Sequence, residues 1–143
     1  MAGEEDVEAA QAARDDQELV PYRLVGFADD QIDQILVESE AGWGLAGSER
    51  YGKLILAAMT SVGEDPAQLG ARPIPRVPGV LAYHLDSARN LVATEYRVGS
   101  PRHLVVYRVA LDRVVEILGL VHDRQNLARA ARRAKRAADE ADD

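Results

Sequence analysis

The chain has 143 residues, 47% of them apolar, which suits one domain with an ordinary core. It holds no cysteine, which excludes disulfides and cysteine-ligated metal and mildly favours a reducing, intracellular setting. The net charge of −7 hides a division: residues 1–65 sum to −11, residues 66–137 to +8 and the last six to −4. Such asymmetry points to one surface that meets an acidic partner. No apolar run approaches the ~20 residues of a membrane span, and the acidic start lacks a signal peptide's basic and apolar regions. The expectation is a soluble, cytoplasmic protein without membrane contact.

Residues 1–18 carry seven acids and one arginine among many alanines. They cannot bury enough apolar surface to fold alone and are expected to form a flexible acidic extension. After Pro21, Tyr22 to Phe27 reads as a short first strand. Asp29 is placed to cap a helix running to about Ala41, with Ile32, Ile35 and Leu36 on its apolar face. Gly42 and Gly44 punctuate its end, and Trp43 is expected to pack that joint. A second helix starts near Gly47-Ser48. Tyr51, Leu54, Ile55, Ala58, Met59 and Val62 follow at helical spacing, and Gly63 is expected to stop it. Together the two predict a helical hairpin.

Residues 63–79 hold four prolines and three glycines and read as a surface loop. Val80 to Leu85 reads as a strand, and Leu91 to Val98 as a further short strand or a turn leading into one. His103 to Ala110 and Val114 to His122 are rich in β-branched and aromatic residues. The short link Leu111-Asp112-Arg113 makes them an antiparallel hairpin. Asn126 can cap a last helix from Leu127, with a thin Leu/Ala stripe and Arg129, Arg132, Arg133, Lys135 and Arg136 around it. The fold class expected is α+β: an N-terminal strand, a two-helix hairpin, an antiparallel three- to four-stranded sheet and a C-terminal helix. The hairpin would cover one sheet face and leave the other partly open for a partner. The domain plan is residues 1–18 as extension, 19–126 as the folded domain, and 127–143 as a basic then acidic helix or tail.

Alternation in the third predicted strand sets His103, Val105, Tyr107 and Val109 on one face and Leu104, Val106, Arg108 and Ala110 on the other. Arg108 either faces the open side or pairs with an acid such as Glu116. His84, His103 and His122 are all the histidines, each at or near a strand. Their unperturbed pKa would suit acid–base work, but a hydrogen-bonded structural role is commoner. No tight ligand spacing suggests a metal, and no cofactor is expected. No serine or threonine sits in a nucleophile elbow, and no glycine-rich phosphate loop precedes a helix. The basic run Arg132 to Arg136 lacks interleaved aromatics and is followed by acids, so direct nucleic-acid binding is not expected.

The element order, with Pro101-Arg102-His103-Leu104-Val105-Val106-Tyr107-Arg108 and then Val115-Glu116-Ile117-Leu118-Gly119-Leu120-Val121-His122-Asp123-Arg124, resembles the ParE toxins of the RelE/ParE superfamily. The opening Tyr22-Arg23-Leu24 and the Tyr83-His84-Leu85 strand agree, and the resemblance covers about 105 residues. It implies the toxin half of a type II toxin–antitoxin module, with growth arrest and plasmid stabilisation as associated behaviour. It further implies DNA gyrase as target and a ParD-like antitoxin in a hetero-oligomer. The target-binding residues expected are Arg102, Tyr107, Arg108, His122 and Arg124. Ile35, Leu54, Met59, Arg72 and Arg76 are expected to meet the antitoxin. The alternative is the RelE branch, a ribosome-dependent mRNA endoribonuclease. His84, His103, His122 or Tyr107 would then serve its chemistry. No lysine occurs between residues 54 and 134, which favours an inhibitor without chemistry of its own.

Overall fold

A computed structural model describes residues 21–141; the acidic extension at 1–18 lies outside them. The elements are β1 (Tyr22–Leu24), helix α1 (Ala28–Glu64), β2 (Arg72–Pro73), β3 (Leu81–His84), two 3-10 helices (Leu85–Leu91 and Thr94–Tyr96), β4 (His103–Val109), β5 (Val115–His122) and α2 (Leu127–Ala141). The sheet has five strands in the order β1-β5-β4-β3-β2. The fold is α+β, as expected, and four of its strands form the antiparallel part. The sheet as a whole is mixed, because β1 lies parallel to β5 on its outer edge. No helix among the described residues is long and apolar enough to cross a membrane.

Helix α1 is two arms broken at Gly44, whose φ of 79° is easy only for glycine. The arms fold back on each other, and the Ser48 hydroxyl donates to the Leu36 carbonyl at 2.9 Å. Trp43 does not pack the joint. It is 83% exposed at the tip, with only its Cβ close to Gly47, where any side chain would collide. Asp29 is not the cap either. Gly26, at φ 59°, turns the chain so that Ala28 N–H reaches the Val25 carbonyl and the helix opens there. Asp29 and Asp30 fall in the first turn, where they favour the helix dipole. Gly63 lies inside the helix. It is there for packing, since a Cβ would fall 2.5 Å from the Pro21 carbonyl oxygen.

The hairpin buries Leu54, Ile55, Ala58 and Val62 against Val105, Tyr107, Ile117 and Leu120. The opposite sheet face is not open. Ala131, Ala134 and Ala138 of α2 cover Leu104, Val106, Leu118 and Val121. The thin alanine stripe suffices because the helix comes close, a Cβ at Gly26 lying only 2.9 Å from Ala138 N. Residues 86–100 form no strand. The His84 imidazole accepts from Asp86 N–H at 3.0 Å and caps a 3-10 helix instead, and of Leu91, Val92 and Ala93 only Val92 is buried. The β4–β5 hairpin closes through Ala110 and Val114, with Arg113 at φ 71°. A bulge opposite Val106 and Tyr107 leaves Leu118 as the extra residue on β5.

Glu116 is the charged side chain buried on β5. It accepts from Arg108 Nε at 2.8 Å and from Arg23 at 3.3 Å. Arg108 continues to Asp139 on α2 at 2.6 Å, and Arg23 to Asp112 in the hairpin turn at 2.7 Å. Replacing Glu116 by Ala removes the buried carboxylate that Arg108 and Arg23 share and leaves each with its more exposed partner, Asp139 or Asp112. The expected loss is about 2 kcal/mol in denaturant unfolding. Asp112→Ala, at the exposed end of the same network, should cost far less.

Candidate functional site

The predicted site residues separate into two places. Tyr107 is wholly buried, and its hydroxyl donates to the Pro66 carbonyl at 2.6 Å. Burial, with Tyr83 and Asp65 nearby, pushes its pKa up to about 12. It is a core residue and not a target contact, because the strand alternation turns it onto the hairpin. Arg108 takes the pairing alternative and sits in the Glu116–Asp139 network. Leu54, Met59 and Ile35 pack in the core, so the apolar stripe expected to meet an antitoxin is already used by the sheet. Arg72 and Arg76 are exposed, near the short edge strand β2.

The remaining residues converge at the other end of β4. His103 and His122 face each other across the strands, with ring centroids 5.2 Å apart, edge to face. The Tyr51 hydroxyl, from the second arm of α1, lies 2.6 Å from His103 Nδ1. His84, at the end of β3, reaches Asp123 Oδ2 with Nε2 at 3.3 Å. Arg102 Nη1 lies 3.9 Å from the same oxygen, and Arg124 is exposed in the turn beyond. Tyr51 and Asp123 were not singled out from the sequence as site residues. Tyr51 reads there as one more apolar position on a helix, and only its hydroxyl marks it out. Asp123 stands inside the His122-Asp123-Arg124 tract, where its acid between two donors was the available signal.

Hydrogen bonding assigns the tautomers of all three rings. A backbone N–H only donates, so His84 Nδ1 accepts from Asp86 N–H and His122 Nδ1 from Arg124 N–H at 3.1 Å. Tyr51 oxygen accepts from Arg102 N–H at 3.2 Å, and His103 Nδ1 is the acceptor within reach of its proton among the described residues, so the bond is assigned as Tyr51 O–H to His103 Nδ1. With that assignment each neutral imidazole carries its hydrogen on Nε2. The 3.5 Å approach of His122 Nδ1 to Asp123 Oδ1 is then no hydrogen bond. Burial, seconded by the neighbouring His122, holds the His103 pKa down to about 4, while Asp123 and Glu38 pull it upward. Asp123 itself is burdened by desolvation, yet its pKa is lowered, because the His84 hydrogen bond and the Arg102 and His122 charges outweigh that. Among the described residues, no group of three or more His, Asp or Glu side chains is placed to hold a metal ion.

The arrangement can donate hydrogen bonds and present guanidinium groups. With these contacts each Nδ1 is engaged by a donor and each Nε2 carries the hydrogen of the neutral ring. Fold and site together describe a small α+β protein with a donor-rich end to its sheet. The chain is 29% identical over 106 residues to Toxin ParE1 of Caulobacter vibrioides, an overlap spanning 74% of this chain and 92% of that protein. No family model matches the chain.

The folded His103, at about 4, binds fewer protons near pH 5 than an unfolded histidine at its ordinary 6.5. Stability should therefore be full above about pH 6.5 and fall as pH drops toward about 4. Thermal melts between about pH 7 and about pH 5 should show the fall, and His103→Gln should flatten it.

Proposed function

We infer that this protein is the toxin of a toxin–antitoxin module, acting by binding a protein target and neutralised by a ParD-like antitoxin in a hetero-oligomer. The observation that carries this reading is the similarity to Toxin ParE1, which covers 74% of this chain and 92% of that protein. The target proposed is DNA gyrase. In favour of binding over chemistry stands the donor-only character of the His84–His103–His122 end. Arg102, His122 and Arg124 remain the target contacts of this reading. Tyr107 and Arg108 leave that set, being built into the core and its ion-pair network.

Expression of the chain alone should arrest growth, and co-expression of an adjacent ribbon-helix-helix reading frame should relieve the arrest. Purified protein should inhibit gyrase supercoiling. The Arg102→Ala, Arg124→Ala double variant should inhibit about tenfold less at an unchanged melting temperature. No inhibition at large molar excess would remove gyrase as the target.

A second reading, a RelE-like ribonuclease acting on ribosome-bound message, is favoured by one observation, the gathering of all three histidines at one end. RNA cleavage needs a base to activate the 2′-hydroxyl, and the engagement of each Nδ1 by a donor weighs against that role. Message cleavage abolished by replacing one histidine would decide for this reading against the first.

A further inference from the structure

The histidine end of the sheet holds donors that the fold itself does not use. Among the described residues, neither His103 Nε2–H nor His122 Nε2–H has a hydrogen-bond acceptor. Both rings are fixed in place, His103 by Tyr51 and His122 by the turn through Arg124. Beside them the Arg102 side chain is 57% exposed, and its contact to Asp123 is long, at 3.9 Å. Arg124 is exposed in the following turn.

We propose that this end binds a carboxylate of an acidic peptide segment on a partner protein, held by His103 and His122 Nε2–H and by the Arg102 and Arg124 guanidinium groups. The inference rests on the docking-surface reading above and gives that surface a ligand chemistry. Fixed N–H groups without acceptors select an acceptor and reject a cation or a metal. A guanidinium adds the fork geometry that a carboxylate matches with two hydrogen bonds. Asp123 shows the same chemistry nearby, since its own carboxylate takes the His84 Nε2–H and lies 3.9 Å from Arg102 Nη1.

A nucleic-acid strand fits the same place worse. Asp123 and Glu38 stand close enough to His103 to act on its charge, and they weigh more against a run of phosphates than against a single carboxylate. The one aromatic ring in the cluster, Tyr51, is 9% exposed and edge-on to His103, so it cannot stack on a base. A peptide can offer one carboxylate and turn its remaining side chains away.

The test is nuclear magnetic resonance of the histidine ring nitrogens in the full chain at neutral pH, titrated with a short end-capped peptide bearing one glutamate among neutral residues and separately with a short oligouridylate. The expected result is an Nε2–H tautomer at all three histidines and saturable peptide-induced shifts at His103 and His122. Arg102→Gln should weaken peptide binding about tenfold. Its backbone N–H, the group that Tyr51 needs, is untouched by the change. Arg129→Gln, on the exposed side of α2, should leave binding unaltered. An Nδ1–H tautomer at His103 or His122, no saturable shift, equal weakening by Arg129→Gln, or tighter binding of oligouridylate would each overturn the proposal. Growth arrest and supercoiling are read separately, so the toxin reading can stand or fall without it.

Discussion

Strand β5 is buried on both faces over nearly its whole length, and the rest of the molecule follows from that. A strand in that position needs a cover on each side and a neighbour on each edge. The α1 hairpin and α2 supply the covers, and β4 and β1 supply the edges. Seven of its eight residues meet the demand with apolar side chains, glycine or, at the tip, a half-exposed histidine. Glu116 is the exception and becomes the anchor. Two arginines from the flanking strands satisfy it, and through them Asp112 and Asp139 tie the hairpin turn and α2 to the sheet. A carboxylate so buried is costly unless fully paired, so the network specifies which strand lies on each side of β5 more than it adds net stability.

The parts legible in the sequence were those with a local period. The second arm of α1 repeats at helical spacing, and β4 alternates cleanly enough that His103 and Tyr107 fall on the hairpin side and Arg108 on the other. The closing of the second sheet face was not legible. An alanine stripe has little hydrophobicity, and its value depends on Gly26 coming within contact of Ala138, a relation across more than a hundred residues. Nor does anything near Tyr22 announce that it will pair in parallel with Val115. The stretch after His84 misled for a chemical reason. Its apolar residues suit a strand, but the imidazole nitrogen captures the Asp86 N–H and turns the chain.

The site was legible residue by residue and not as an assembly. Each histidine stood out for its position at a strand end. Their meeting depends on the β4–β5 register, which sets His103 opposite His122, and on β3 pairing that brings His84 beside Asp123. Tyr107 and Arg108, adjacent in sequence to a useful tract, were lost to it for the same reason. The strand runs away from the cluster, and each step along it carries a side chain into the core or the Glu116 network.

What the histidines do for the fold also limits what they can do for function. Each Nδ1 takes a donor: a helix-capping N–H and a turn N–H, both at exposed positions, and the hydroxyl of the buried Tyr51. Withdrawing any of them to accept a proton from a substrate would break a contact that shapes this end of the sheet, and at His103 it would leave the Tyr51 hydroxyl unsatisfied at about 1–3 kcal/mol. A general base must change its protonation state in every turnover, and a structural acceptor must not. A docking surface has no such conflict. It needs rigid donors, and rings held at one nitrogen present the other in a fixed direction. The same bonds that build the end of the sheet thus favour recognition over proton transfer there.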